Sequence, residues 1–216
     1  MEKAEIVKAL QELKGKTPKR KFSQSVELIV TIKGIDLKKT ENQQEFFAIL
    51  PYSRGKKVSV CALIGPELKD EATKNCDKVI IVDEFQKYAN KKEAKKLAKA
   101  YDFFIAQGEI MAKVAAGFGK SLGPRGKMPN PKADCIVTAK TPLKPLYEKL
   151  QKTIKISLKK APLIQAMVGT EATPDNHIVE NITTSYNQIV RSLPQEENNI
   201  RSVMVKMTMG PIVKLR

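Results

Sequence analysis

The sequence predicts a mixed α/β fold of the α+β kind, with a discontinuous domain made from both chain ends and a parallel-sheet βαβ domain inserted into it. Three observations carry this. Strands with an alternating apolar and polar pattern are confined to the two end segments. The middle reads strand, helix, strand, helix, strand, and its strands are near-continuous apolar runs, as expected of a parallel sheet covered on both faces. The texture changes near residues 53 and 152. Residues 1–54 and 152–216 are therefore expected to form one domain and residues 55–151 the insertion, an arrangement that is physically easy where termini lie close together.

The elements follow in order. Ile6, Val7, Leu10 and Leu13 have amphipathic helix spacing over residues 2–13. A basic loop with Lys14, Lys16, Lys19, Arg20 and Lys21 follows. Val26, Leu28, Val30 and Ile32 then alternate with Ser25, Glu27, Ile29 and Thr31, which reads as a strand with one mostly polar face. Residues 45–50 read as a partner strand closed by Pro51. In the middle, residues 58–64, 79–82 and 103–106 are short apolar runs, separated by helical segments over 66–75, 91–100 and 109–118. Thr141 and Pro142 open another helix, with Thr as N-cap and Pro at the first helical position. Beyond residue 153, Ile154, Ile156 and Leu158 suggest a strand and residues 163–168 a second. Thr173-Pro174 starts a helix with Ile178, Ile182, Tyr186, Ile189 and Leu193 on one face. Val203, Val205 and Met207 form the last strand.

The composition bounds the function. The chain has 216 residues, 42% hydrophobic and 29% charged, enough for a sizeable core. Its formal net charge is +16, which favours a polyanionic partner. The excess is evenly spread: residues 55–151 hold 19 basic and 11 acidic side chains, the rest 20 and 12. Phosphate contact by more than one folded surface fits this better than a basic tail. No apolar run approaches the ~20 residues of a spanning helix. Met1-Glu2-Lys3-Ala4 shows no apolar h-region, so no signal peptide and no membrane partner are expected. Cys61, Cys76 and Cys135 are odd in number and far apart, and read as reduced, mostly buried thiols.

Residues 117–132 hold three tempting catalytic patterns. Gly119-Lys120-Ser121 resembles the end of a P-loop, but Val114 stands where glycine is needed and a helix precedes the motif. Gly119 to Gly123 also fits G-x-S-x-G, with Asp134 and His177 following in hydrolase order, yet the context is the reverse of strand-turn-helix. Gly117 and Gly119 do not complete a dinucleotide fingerprint. With one histidine and no metal-ligand spacing, neither an enzyme, a cofactor nor a metal is expected. What the stretch offers is a stiff basic loop with Lys120, Arg125, Lys127 and Lys132, suited to phosphate, against the alternative of a solvated charged loop.

A second cluster lies on the end-derived domain. Lys21-Phe22 precedes the strand bearing Ser25 and Glu27, and the last strand places Ser202 and Thr208 on one face before Met209-Gly210-Pro211. Hydroxyls, a carboxylate and backbone groups at a sheet edge can read 2′-hydroxyls and base edges in the wide RNA minor groove. The alternative is a core Phe22 with ordinary strand residues around it.

Three separated segments, Leu122 to Lys132, Thr208-Met209-Gly210-Pro211, and Lys21-Phe22 with Ser25 and Glu27, together resemble the L-one family of large-subunit ribosomal proteins in its archaeal form. The resemblance covers essentially the whole chain. Departures are Ile212 where many members have Ser, Lys214 where Arg is common, and Ser25 where bacterial members have Thr. The resemblance implies a split-βαβ (RRM-like) domain from both termini and an inserted Rossmann-like domain, joined by a hinge. It implies RNA-contact positions at Lys21, Phe22, Ser25, Glu27, Ser202, Thr208, Met209, Gly210 and Pro211, with Lys21 on phosphate and Phe22 bracing the contact. The loop residues Arg125, Lys127 and Lys132 would form a secondary phosphate contact. The implied partners are large-subunit ribosomal RNA at the mobile stalk, exit-site tRNA and the protein's own messenger RNA, bound as a translational repressor. A cytoplasmic, ribosome-bound protein, monomeric when free, is expected. A rival reading, a nonspecific basic chaperone or membrane-surface binder, predicts affinity set by charge and salt alone.

Overall fold

The computed structural model describes residues 2–88, 90–159 and 161–215. In chain order, α1 (Lys3–Lys16), β1 (Ser25–Ile32) and β2 (Gln44–Ile49) are followed by β3 (Val60–Ile64), α2 (Lys69–Asn75) and β4 (Lys78–Ile81). Next come α3 (Lys91–Ala100), β5 (Phe103–Gln107), α4 (Met111–Leu122), β6 (Ile136–Val137) and α5 (Leu143–Lys152). The chain ends with β7 (Thr153–Leu158), β8 (Leu163–Thr170), α6 (Asp175–Ser192), β9 (Ile200–Met207) and β10 (Ile212–Lys214). These divide into two compact units, Met1–Lys56 with Lys152–Arg216, and Lys57–Gln151. Antiparallel pairing in the first and parallel pairing in the second make the fold a mixed α/β one.

In the first unit a four-stranded sheet runs in the order β10-β9-β1-β8. The inward side chains Val26, Leu28, Val30, Val203 and Val205 pack with Ile6, Leu10 and Leu13 of α1 and with Ile178, Ile182, Tyr186 and Ile189 of α6. Both helices face the sheet because their apolar residues recur every three or four positions. Full burial of each of those isoleucines contributes about 1.5–3 kcal/mol. Asn181, fully buried on α6, is a polar exception with both amide atoms used: Oδ1 accepts from the Tyr52 N–H at 3.1 Å and Nδ2 donates to the Val168 carbonyl at 2.8 Å.

Two expectations for this unit change. Residues 45–50 do not pair with β1, whose two edges are taken by β8 and β9. They form β2, which pairs antiparallel with β7 in a separate ribbon, Phe46 opposite Ile156 and Ala48 opposite Ile154. Nor is β9 the last strand: β10 folds back on it, Ile212 opposite Lys206 and Lys214 opposite Met204. Three residues are too few to show a period, so only the tertiary partner reveals this strand.

The second unit is a parallel sheet in the order β4-β3-β5-β6. Cys61, Leu63, Phe104 and Ala106 pack on Ala94, Leu97 and Ala98 of α3 and on Val114, Phe118 and Leu122 of α4. The Phe85 and Phe118 rings meet edge to face at 5.2 Å, a geometry favoured by their quadrupoles. The helix expected over 109–118 runs on through Leu122, so the basic loop begins only at Gly123. Val114, Phe118, Ser121 and Leu122 bury one face at helical spacing, and that burial outweighs the low helix propensity of Gly117 and Gly119. The first N–H of α5, on Leu143, is capped by the Glu71 carboxylate at 2.7 Å. The expected Thr141 hydroxyl instead accepts from the Thr138 N–H.

Candidate nucleic-acid interface

Strand alternation turns Ser25, Glu27 and Thr31 of β1 away from the core, and antiparallel pairing with β9 sets Lys206 opposite Glu27 and Ser202 opposite Thr31. On the other side, β8 sets Met167 opposite Glu27 and Gln165 opposite Ile29. The outer face of the sheet is thus a mixed surface of hydroxyls, an acid, an amide, lysines and thioethers.

At one end of this face the start of β1 is fastened to the turn that follows β9. The Thr208 hydroxyl accepts from the Ser25 N–H at 3.0 Å, and the Thr208 N–H donates to the Ser25 carbonyl at 3.1 Å. Just before β1, the wholly buried Gln24 accepts from the Met209 N–H at 3.1 Å through Oε1 and donates to the Pro18 carbonyl at 3.2 Å. These bonds hold the 208–211 turn against the start of β1. Phe22 and Met209 stand out beside it, 51% and 57% exposed. A core role for Phe22 is ruled out by that exposure. Gly210 packs so tightly that a Cβ there would lie 2.5 Å from the Thr17 hydroxyl.

Of the positions singled out in the sequence, Ser25, Thr208, Met209 and Gly210 come together at this end, next to exposed Lys21 and Phe22, with Pro211 closing the turn. Glu27 lies two residues further in, its carboxylate accepting from the Gln165 amide. Ser202 shares the face but lies six residues back along β9 from Thr208, about 20 Å at strand rise. Gln24 and Gln165 belong to the same site without any mark in the sequence. A buried glutamine gives no sequence signal, and Gln165 becomes a neighbour of Glu27 only through the β1–β8 register.

The basic loop of the second unit is more constrained than its composition suggests. The Arg125 guanidinium donates to the Ser121 carbonyl at 3.0 Å. Gly126 takes the left-handed conformation, φ 61°, which glycine adopts without steric penalty. The Lys127 ammonium donates to the carbonyls of Ala98 at 3.1 Å and Tyr101 at 2.6 Å, at the end of α3, and burial pushes its pKa below the usual lysine range. Lys132 is exposed at the start of a 3-10 turn capped by Asn130.

The catalytic patterns resolve otherwise. Gly119, Lys120 and Ser121 sit at the end of α4, with Ser121 buried, whereas phosphate and nucleophile motifs need a helix start. The His177 ring stacks on Tyr52 at 3.8 Å. Burial pushes the thiols of Cys61 and Cys135 up to about 12 and that of Cys76 to about 11, far from the range of a reactive thiolate. Among the described residues no cluster of His, Cys, Asp and Glu could hold a metal, and no helix is long and apolar enough to cross a membrane.

Comparison with known proteins agrees with the resemblance of the motifs. The model of the ribosomal protein L1p/L10e family matches residues 11–211. A large ribosomal subunit protein uL1 of Pyrococcus abyssi is 41% identical over 216 residues, spanning 100% of this chain and 97% of the relative. The uL1 protein of Methanocaldococcus jannaschii is 36% identical, with the same coverage, and that of Nanoarchaeum equitans is 40% identical over 91% of this chain and 93% of the relative. With its full length matched at these identities, the chain belongs to the L1 family of large-subunit ribosomal proteins, in its archaeal type.

Proposed function

We propose that this ribosomal protein is a structural, non-catalytic constituent of the large subunit that binds the ribosomal RNA of the mobile stalk. The unit made from both chain ends is the main RNA-binding domain, an RRM-like split-βαβ fold, and residues 55–151 are a Rossmann-like insertion. The contact is made by Lys21, Phe22, Ser25, Glu27, Thr208, Met209, Gly210 and Pro211, with Ser202 at the far end of the same face. The observation that carries the reading is the fastening of Thr208 to Ser25 beside exposed Phe22 and Met209. Such a preformed surface loses little entropy on binding, and its exposed apolar groups are an unfavourable feature unless a partner covers them. Lysines around it neutralise phosphate, and hydroxyl and backbone groups read the minor groove.

Arg125 and Lys132 make a secondary phosphate contact, with Lys127 bracing the loop from beneath. On the ribosome, the protein assists movement and release of deacylated tRNA from the exit site. It also represses translation of its own messenger RNA by binding a stalk-like structure there. These two roles rest on family membership alone.

The test is binding to a stalk ribosomal RNA fragment against a length-matched unrelated hairpin over a salt series. The proposal expects a preference of ~10³-fold or more that persists at high salt. Equal binding that fades with salt for both RNAs would reduce the protein to a basic surface and remove the residue assignments.

A further inference from the structure

On the second unit, α3 and the loop after α4 flank an open groove of ≈ 360 Å³, its walls mostly the aliphatic stems of Lys92, Lys95, Lys96, Lys99 and Arg125. The four lysines recur at i, i+3, i+4 and i+7, so the helix places all of them on one side, opposite buried Ala94, Leu97 and Ala98. Like charges at these spacings destabilise a helix. Among the described residues the ion pairs give the cluster one carboxylate, Glu93, which meets Lys96 at 3.1 Å. The walls are pinned: Arg125 is tied to the Ser121 carbonyl, and Lys127 ties the loop to the carbonyl end of α3.

We propose that this groove is a second RNA site, which grips the phosphate backbone of an RNA duplex without reading its sequence. It widens the loop contact proposed above into a surface led by α3, and it rests on RNA being the ligand. Four lysines within two turns match closely spaced backbone phosphates, and no acceptor or aromatic group in the lining would read a base.

The experiment compares two variants of the full chain, each four charges lower. One is Lys92→Gln, Lys95→Gln, Lys99→Gln with Arg125→Gln. The other changes exposed Lys69, Lys74, Lys140 and Lys144 to Gln, none of which lines the groove. Binding of an arbitrary RNA duplex is measured against salt. The groove variant should lose tenfold or more in affinity, with a log–log salt slope shallower by about three, whereas the control slope shifts by less than one. Equal changes in both variants overturn the proposal. In the unsubstituted protein, bound duplex should shield Lys92, Lys95, Lys96 and Lys99 from an amine-reactive reagent, and full reactivity there overturns it even where a variant fails to fold. Tighter binding to phosphatidylglycerol vesicles than to the duplex would assign the groove to a membrane surface and overturn it too. If Thr208→Ala weakens stalk-fragment binding while the groove variant binds duplex normally, the groove inference alone fails.

Discussion

Ser25 and Thr208 lie 183 residues apart in the chain, yet the Ser25 N–H donates to the Thr208 hydroxyl at 3.0 Å and the Thr208 N–H donates back to the Ser25 carbonyl at 3.1 Å. The pair extends the β1–β9 ladder by one step, using a side chain where β9 has ended. A hydroxyl at 208 therefore shapes the surface as well as standing on it.

Thr208→Ala removes that acceptor. Both residues are partly open to water, so stability should fall by no more than about 1 kcal/mol in chemical denaturation. Binding of the stalk fragment should weaken by ~1–3 kcal/mol, as for a lost base-edge contact. Thr208→Ser keeps the hydroxyl and should bind within about threefold of the parent protein, a difference of ~0.7 kcal/mol. A nonspecific electrostatic binder would show no change in either variant, because neither alters charge.

Gly210→Ala probes the tight turn. A Cβ there would meet the Thr17 hydroxyl at 2.5 Å, its methyl at 3.1 Å and the Met207 Cβ at 3.2 Å. Thr17 cannot yield freely, because its hydroxyl donates to the Leu13 carbonyl at 2.6 Å. Destabilisation of about 1–3 kcal/mol is expected, as for overpacking. Adding Thr17→Gly should recover part of it, which a double-mutant cycle would show as coupling.

Asn181→Ala should be among the most damaging single changes in the first unit. It leaves the Tyr52 N–H and the Val168 carbonyl without their partner in a buried setting. A loss of about 2–5 kcal/mol in denaturant midpoint analysis is expected. Asn181→Leu, which fills the space, should recover little if the loss comes from the two unpaired backbone groups.

Acid should destabilise both units through two paired carboxylates. Burial raises the pKa of Glu45, but the bonds and charges of Lys155 and Lys159 outweigh it and hold the carboxyl below the usual range. Burial likewise raises Asp77, and Lys57, the Val60 N–H and Tyr147 bring it down. A folded pKa below the unfolded one stabilises at pH values above the unfolded value, and that stability is lost as pH falls through the folded one. Stability should thus be level above about pH 5 and drop below about pH 4. Asp77→Asn should flatten that acid limb while lowering stability at neutral pH, as followed by thermal melts across pH.

Much of the architecture could be read from pattern. The apolar spacing of α1 and α6, the alternation along β1 and the unbroken apolar runs of β3 to β5 each report one element's own burial. The last turn of α4 is hidden in the sequence by its glycines and the proline that follows, although Val114, Phe118 and Leu122 keep helical spacing. The pairing of β2 with β7 was out of reach, since two apolar ribbons of like length fit several partners. At the candidate interface, Ser25, Glu27 and Thr208 could be named from strand parity and motif resemblance, whereas Gln24 and Gln165 could not.

The sequence by itself determined the kinds of element, the excess of positive charge and the three motifs that place the chain in its family, because these are properties of single segments. Only the tertiary structure decided that Thr208 closes on Ser25, that Gln165 meets Glu27 and that Lys127 ties the loop after α4 to the end of α3, bringing Arg125 to the lysine face of that helix. Each of these depends on the register of residues far apart in the chain. That register is set by how buried faces fit one another, and no local period records it.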